Sequence, residues 1–149
     1  MLGKLNDEQM DYLLRSQVIG RLGCAAEGQV YVVPVTYAYD GEYVYGHTKE
    51  GLKTRMMRQN PQVCLEVDAI GNMANWQTVV VQGRYEELSG EEAAHALRLL
   101  TNRITPLLVS ETSLPATGPD IHLPAGSGPV VRVTYRLRIL SKSGRYEKR

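Results

Sequence analysis

The chain has no phenylalanine, and its aromatic supply is nine tyrosines and Trp76. A core built on tyrosine brings hydroxyls that need partners once buried. Cysteine is nearly as scarce: Cys24 and Cys64 lie in apolar strand-like runs, form no CxxC motif and read as two reduced core thiols. Neither sign of charge dominates. Seventeen basic and sixteen acidic side chains leave a formal net charge of +1. That balance favours neither a nucleic acid nor an anionic membrane as partner, so any anion site must be local. No run approaches the ~20 apolar residues that span a bilayer, and Met1–Asn6 has no apolar signal core. The expectation is a cytoplasmic protein. His47, His95 and His122 are far apart in sequence, and neither a Ser-His-Asp set nor a paired-carboxylate signature is present. Metal, triad and two-carboxylate chemistries therefore have no support.

What is present is an ordinary globular composition, 43% hydrophobic and 22% charged over 149 residues. One domain over 1–149 is expected, with a polar tail at 142–149. Asn6 with Gln9 three residues on forms a capping box, and Met10, Leu13 and Leu14 share a face, predicting a helix over 7–16. A strand over 18–26 and a Glu27-Gly28 turn follow. A long Val- and Tyr-rich strand then covers 29–39, and Pro34 inside it marks an edge, a bulge or a ligand-facing site. Asp40-Gly41 is a hairpin turn returning the chain over 42–48. Strands are expected at 62–69 and 76–88, with a loop at 70–75 between them. A helix opens at Ser89-Gly90 with an apolar face of Ala93, Leu97, Leu100 and Ile104, and His95 is read as surface or packed. Residues 105–128 hold four prolines and three glycines without a sustained period, a composition suited to a semi-rigid flap. The last strand, 130–140, alternates cleanly, and its row of Arg132, Thr134, Arg136 and Arg138 reads as a solvated face or subunit rim. Strands adjacent through hairpins imply antiparallel pairing: a mainly β fold, a closed or partly open barrel with flanking helices.

The most informative stretch is Gly46-His47-Thr48-Lys49-Glu50-Gly51-Leu52-Lys53, leading into a short basic helix that Asn60-Pro61 stops. The first amides of such a helix have no partners within it and, with the helix dipole, form an anion site. Thr48 can add a hydroxyl and Lys53 an ammonium. The plainer alternative is a solvated basic helix between two strands.

Four pieces stand in order: Val33-Pro34-Val35-Thr36-Tyr37, then Tyr45 through Lys53, then Arg58 through Asp68, then Trp76-Gln77-Thr78 through Gly83. This ordered set resembles the FMN-binding split-barrel superfamily, which includes pyridoxamine 5′-phosphate oxidases and nitroimidazole-reductase-like flavin-binding proteins. The resemblance covers about residues 6–104. It implies an antiparallel split β-barrel of the FMN-binding type, with FMN as cofactor. It places Pro34, Val35 and Thr36 along the isoalloxazine ring, and His47, Thr48, Lys49, Gly51 and Lys53 at the ribityl phosphate. It gives Trp76, Gln77 and Thr78 to the flavin, often across a dimer interface, and implies a homodimer with two flavin sites.

Thr48-Lys49-Glu50-Gly51 stands where pyridoxamine phosphate oxidases usually carry Ser-Arg-Lys-Gly, and the expected last strand is followed by only a short tail where they usually carry a basic substrate-gripping segment. The resemblance is thus nearer the nitroimidazole-reductase-like branch. It implies a flavin-dependent oxidoreductase taking electrons from a small donor to a small acceptor, with His47 as the candidate proton donor. The alternatives are a non-catalytic flavin-binding or storage protein and, further off, a haem-binding relative.

Overall fold

The computed structural model describes residues 1–108 and 131–149. The chain opens with a short strand, β1 (Leu2–Lys4), and the helix α1 (Asp7–Ser16). The capping box forms as the sequence dictates: Gln9 N–H donates to Asn6 Oδ1 at 2.8 Å, and Asn6 N–H donates to Gln9 Oε1 at 2.9 Å. Met10, Leu13 and Leu14 are its buried face. The buried Tyr37 hydroxyl donates to the Leu14 carbonyl at 2.6 Å, so a tyrosine hydroxyl satisfies one of the unpaired carbonyls at the helix end.

Next come β2 (Ile19–Ala26), β3 (Gln29–Thr36), β4 (Ala38–Tyr39) and β5 (Tyr43–Lys49). The first hairpin turns through Glu27 and Gly28, both at positive φ, a two-residue turn whose twist matches that of the strands. In the second, Asp40 Oδ1 accepts the Glu42 and Tyr43 amides at 2.9 and 2.8 Å, while Oδ2 accepts the Tyr45 hydroxyl at 2.7 Å. The helix α2 (Leu52–Gln59) leads to the long hairpin β6 (Gln62–Asn72) and β7 (Asn75–Leu88). After them run α3 (Gly90–Ile104), a single 3₁₀ turn (Thr105–Leu107) and β8 (Arg132–Glu147). Most of the predicted flap falls in 109–130, outside the described residues.

All pairings are antiparallel, in the order β3-β2-β6-β7-β8-β5-β4, with β1 on the free end of β8. The sheet curls around Leu22, Leu65, Val67, Val79, Val81, Tyr135 and Leu137. The end strand β3 comes into contact with β5, the strand next to the other end, with no ladder between these two among the described residues. This is an antiparallel split barrel left open along one seam. Pro34 indeed sits on an end strand.

Several expectations are corrected. The supposed polar tail is the second half of β8: Arg145, Tyr146 and Glu147 pair with Thr78, Gln77 and Trp76 on one side and with β1 on the other. Charge and polarity hid a strand whose backbone bonds are satisfied on both sides. Residues 70–75 are likewise mostly strand, since Ile70 pairs with Trp76. The arginine row is solvated only in part: Arg138 is more than half exposed, whereas Thr134 is buried and Arg136 is largely covered. Arg136 pairs with Glu86 at 2.7 Å and with Glu92 of α3 at 3.0 Å, and stacks over the Tyr43 ring at 4.2 Å. On α3 the fully covered face is Ala96, Leu100 and Ile104, packed on Ala38 and Tyr45, while Ala93 and Leu97 are half-buried. His95 is exposed and meets Tyr45 edge-on at 6.0 Å. Cys24 and Cys64 are free thiols, as expected.

Gly46 pairs with Tyr135 across β5 and β8. A Cβ on Gly46 would lie 2.3 Å from the tyrosine ring, so the glycine is what lets that ring lie flat on the strand beside the seam.

Candidate functional site

The open seam holds a cleft of about 240 Å³ lined by Ile19 of β2, Pro34, Val35 and Thr36 of β3, His47 and Thr48 of β5, Lys53 of α2 and Tyr135 of β8. Six residues named from the sequence thus meet from three segments. Ile19 and Tyr135 were missed. The signal for Tyr135 was in the sequence: a glycine and a tyrosine on strands that pair, with the ring needing the glycine's empty side.

Local chemistry explains each placement. β5 carries His47 and Thr48 to the seam, and His47 Nδ1 and Thr134 Oγ1 share a hydrogen bond at 3.0 Å that fixes the imidazole's orientation. Thr48 is buried. Lys49 ends β5, exposed, and Gly51 is the N-cap of α2. The Gly51 N–H donates to Thr54 Oγ1 at 3.0 Å, and no side chain caps the helix start. The amides of Leu52, Lys53 and Thr54 are then the first of α2, at its positive end. Among the described residues the cleft lining includes Lys53 and no carboxylate, with apolar walls from Ile19, Pro34, Val35 and Tyr135. Such a site accepts an anionic head beside a flat, largely apolar body.

The other three predicted residues lie elsewhere in the chain. Trp76 and Gln77 line a separate hollow of about 780 Å³ under α1, together with Tyr12, Ala69 and Tyr146. The two cavities share no lining residue. Thr78 is on the outer face of the sheet, where its hydroxyl donates to Glu66 Oε2 at 2.7 Å.

That outer face is notable for what it exposes. Ile19, Val30, Val32 and Ile70 are each more than half exposed, on β2, β3 and β6. Among them, Arg21 pairs with Asp68 at 2.8 Å and lies 3.6 Å from Glu66. The Glu66 Oε1 atom is buried without a hydrogen-bond donor. Burial pushes the Glu66 carboxyl up; the Thr78 hydroxyl lowers it and the neighbouring Asp68 raises it again.

The sequence matches the pyridoxamine 5′-phosphate oxidase family over residues 6–123. The chain belongs to that family. A crystal structure of an FAD-binding protein from Mesorhizobium loti is 30% identical, covering 100% of this chain and 98% of its own, with a TM-score of 0.75. A Bacteroides thetaiotaomicron protein described for 5-nitroimidazole antibiotic resistance shares the fold, with TM-score 0.72 at 18% identity over 98% of this chain and 87% of its own. An uncharacterized protein of Rhizobium meliloti is 34% identical over 95 residues, 64% of this chain. The chain spans 63% of the length of that curated relative. No helix among the described residues is long and apolar enough to cross a membrane.

The raised Glu66 carboxyl gives a prediction with a definite sign. A carboxyl whose native pKa exceeds its unfolded value adds stability below the unfolded pKa and loses it as pH rises through the native one. Replacing it by an uncharged isostere removes that loss. Glu66→Gln should therefore gain thermal stability over the wild type at pH 8, by no more than about 1 kcal/mol for so partly exposed a group. The gap should shrink towards pH 4. Melting curves at the two pH values check this, and a variant less stable at pH 8 would mean that Arg21 favours the carboxylate more than burial opposes it.

Proposed function

We propose that the protein binds FMN in the seam cleft and acts as a flavin-dependent oxidoreductase on a small acceptor. The observation that carries this reading is the convergence of Pro34, Val35, Thr36, His47, Thr48 and Lys53 on one cleft with a cation and, among the described residues, no carboxylate. Lys53, the first amides of α2 and Thr48 would hold the phosphate; Pro34, Val35 and Thr36 would lie along the ring, and Ile19 and Tyr135 would exclude water from it. The flavin, when bound, supplies two-electron chemistry, accepting hydride from a nicotinamide and passing electrons to an acceptor such as a nitro compound or quinone. His47, held by Thr134, is the cleft's imidazole and the proposed proton donor. A cytoplasmic setting is part of the same reading.

The cleft is smaller than the ~300–1,000 Å³ typical of cofactor sites. The reading therefore includes a homodimer, in which a partner completes the ring site and the apolar outer face around Val30 and Val32 becomes an interface. Trp76, Gln77 and Thr78, distant from their own cleft, are then available to the partner's flavin.

A second reading, FAD in place of FMN, is favoured by one observation: the 30%-identical Mesorhizobium loti protein is described as FAD-binding. A non-catalytic flavin carrier is the other alternative.

Three measurements separate these. Lys53→Ala should weaken FMN binding about tenfold or more, the loss of one charge-assisted bond at about 1.5–3 kcal/mol, and leave riboflavin binding little changed. Parallel FAD titrations show which flavin the wild type prefers, and equal losses for FMN and riboflavin would place Lys53 away from the phosphate. Sedimentation should give a dimer that Val32→Asp breaks; a flavin-loaded monomer would sink the shared-site arrangement. Under anaerobic conditions NADH or NADPH should bleach the bound flavin's visible band, and nitro compounds or quinones should restore it. Failure of both half-reactions leaves the carrier.

A further inference from the structure

Glu50 sits in the turn between β5 and α2, three residues before Lys53. A carboxylate so placed is the wrong charge for an anion site at the same helix start, and within about one Debye length it would repel a phosphate. The structure holds it in a particular way. Arg58, two turns down α2, reaches back and grips both Glu50 carboxylate oxygens, Nη2 donating to Oε2 at 2.9 Å and Nη1 to Oε1. The buried Thr54 hydroxyl lies 3.0 Å from Glu50 Oε2 and 2.9 Å from the Gly51 carbonyl, and accepts the Gly51 amide. Arg58 Nε also donates to Glu87 Oε1 of β7 at 2.9 Å. Glu87 in turn accepts the Tyr85 hydroxyl at 2.7 Å, and the Tyr85 ring packs on Tyr135, a wall of the cleft, at 5.6 Å. The Glu50 carboxyl is held below the usual carboxylate range, chiefly by Arg58. It is therefore ionised at neutral pH and its charge has to be neutralised.

We propose that Arg58 is a specificity-determining positioning residue for the cleft: it neutralises Glu50 and draws it onto β7, so that the α2 start accepts a flavin carrying a terminal phosphate. The inference rests on the phosphate-binding reading given above. An exposed ion pair on its own contributes little to stability. This one is a two-pronged grip anchored to a third group, and its effect is exerted on the charge of a ligand rather than on the fold. Glu50 is thus nearly silent while Arg58 is in place and repels the phosphate once it is not. Neither residue lines the cleft.

The experiment is a double-variant cycle on flavin-stripped protein, reading FMN and riboflavin binding by quenching of flavin fluorescence. Arg58→Met should weaken FMN about tenfold and change riboflavin less than about twofold. Glu50→Gln in the Arg58→Met background should restore most of the FMN affinity, because the uncompensated charge is gone. Glu50→Gln alone should leave FMN within about threefold of the wild type. Arg58→Lys, which keeps the charge but loses the fork, serves if Arg58→Met melts too low to titrate, and should fall between Met and wild type. Equal losses for the two flavins with no recovery in the double variant would reduce Arg58 to a structural brace and overturn the inference. So would an unchanged FMN affinity in Arg58→Met. A wild type that does not prefer FMN to riboflavin overturns the phosphate reading itself, an outcome distinct from a wild-type preference with a flat cycle.

Discussion

The molecule depends on a sheet that curls far enough for its end strand β3 to touch β5, next to the other end, but leaves no ladder between them. Full closure would satisfy every edge hydrogen bond. Here β3 carries Pro34, which has no N–H to donate, and β5 runs into the turn before α2 rather than along β3. The residual gap is the cleft. Everything named at the site, from the β3 residues to His47 and Lys53, is there because it borders that gap.

Holding the gap open without losing the fold requires strong pairing elsewhere, and β7 with β8 provides it. Their ladder runs from Trp76 opposite Glu147 to Leu88 opposite Thr134, interrupted by a single irregularity at Gln82 and Gly83. The irregularity offsets the register and adds twist where the long strands must bend around the core. β8 continues as the partner of β5, which connects this ladder directly to His47 through Thr134. Tyrosine replaces phenylalanine throughout this core, and the hydroxyls are put to use. Tyr37 closes α1, Tyr45 anchors on the Asp40 turn and Tyr85 joins the Glu87–Arg58 chain. For Tyr37 and Tyr45 burial is the main cause that pushes the phenol up, and for Tyr85 burial is joined by the neighbouring Glu87 carboxylate. The phenols therefore remain neutral donors across the ordinary pH range.

The electrostatics of the site are local, in keeping with a near-neutral chain. The same short segment, 47–58, contains Lys53 and the helix start that attract an anion and the Glu50 that opposes one. The balance is set by Arg58, whose charge is turned away from the cleft onto two carboxylates. Beyond the cleft, Arg21, Glu66 and Asp68 form an ionic island among exposed valines and isoleucines.

Local chemistry was legible from the sequence wherever a short-range rule decides the conformation. The Asn6–Gln9 box, the Asp40-Gly41 turn and the Asn60-Pro61 stop gave α1, the second hairpin and the end of α2 because each is a contact among neighbours. The ordered set from Val33 to Gly83 likewise announced the fold and six of the cleft residues. Long-range pairing was not legible. Nothing local marks Ser141–Glu147 as a strand, since its polar residues face water on one side and its order comes from β7 and β1. The arginine row of β8 gave the same pattern as a solvated face, and only the packing of α3 brings Glu92 to Arg136. Trp76, Gln77 and Thr78 are near the other site residues in motif order yet line no part of the cleft. The sequence by itself determined the helices, the turns and most of the strands, short of the ends of β6 and β8, and which residues are chemically able to hold an anion beside a flat ring. The tertiary structure decided that the sheet stays open between β3 and β5, that Tyr135 walls the gap, and that Arg58 reaches Glu50 and Glu87. These depend on how a twisted sheet curls and on which distant strands share a register, and no local stretch of sequence encodes that.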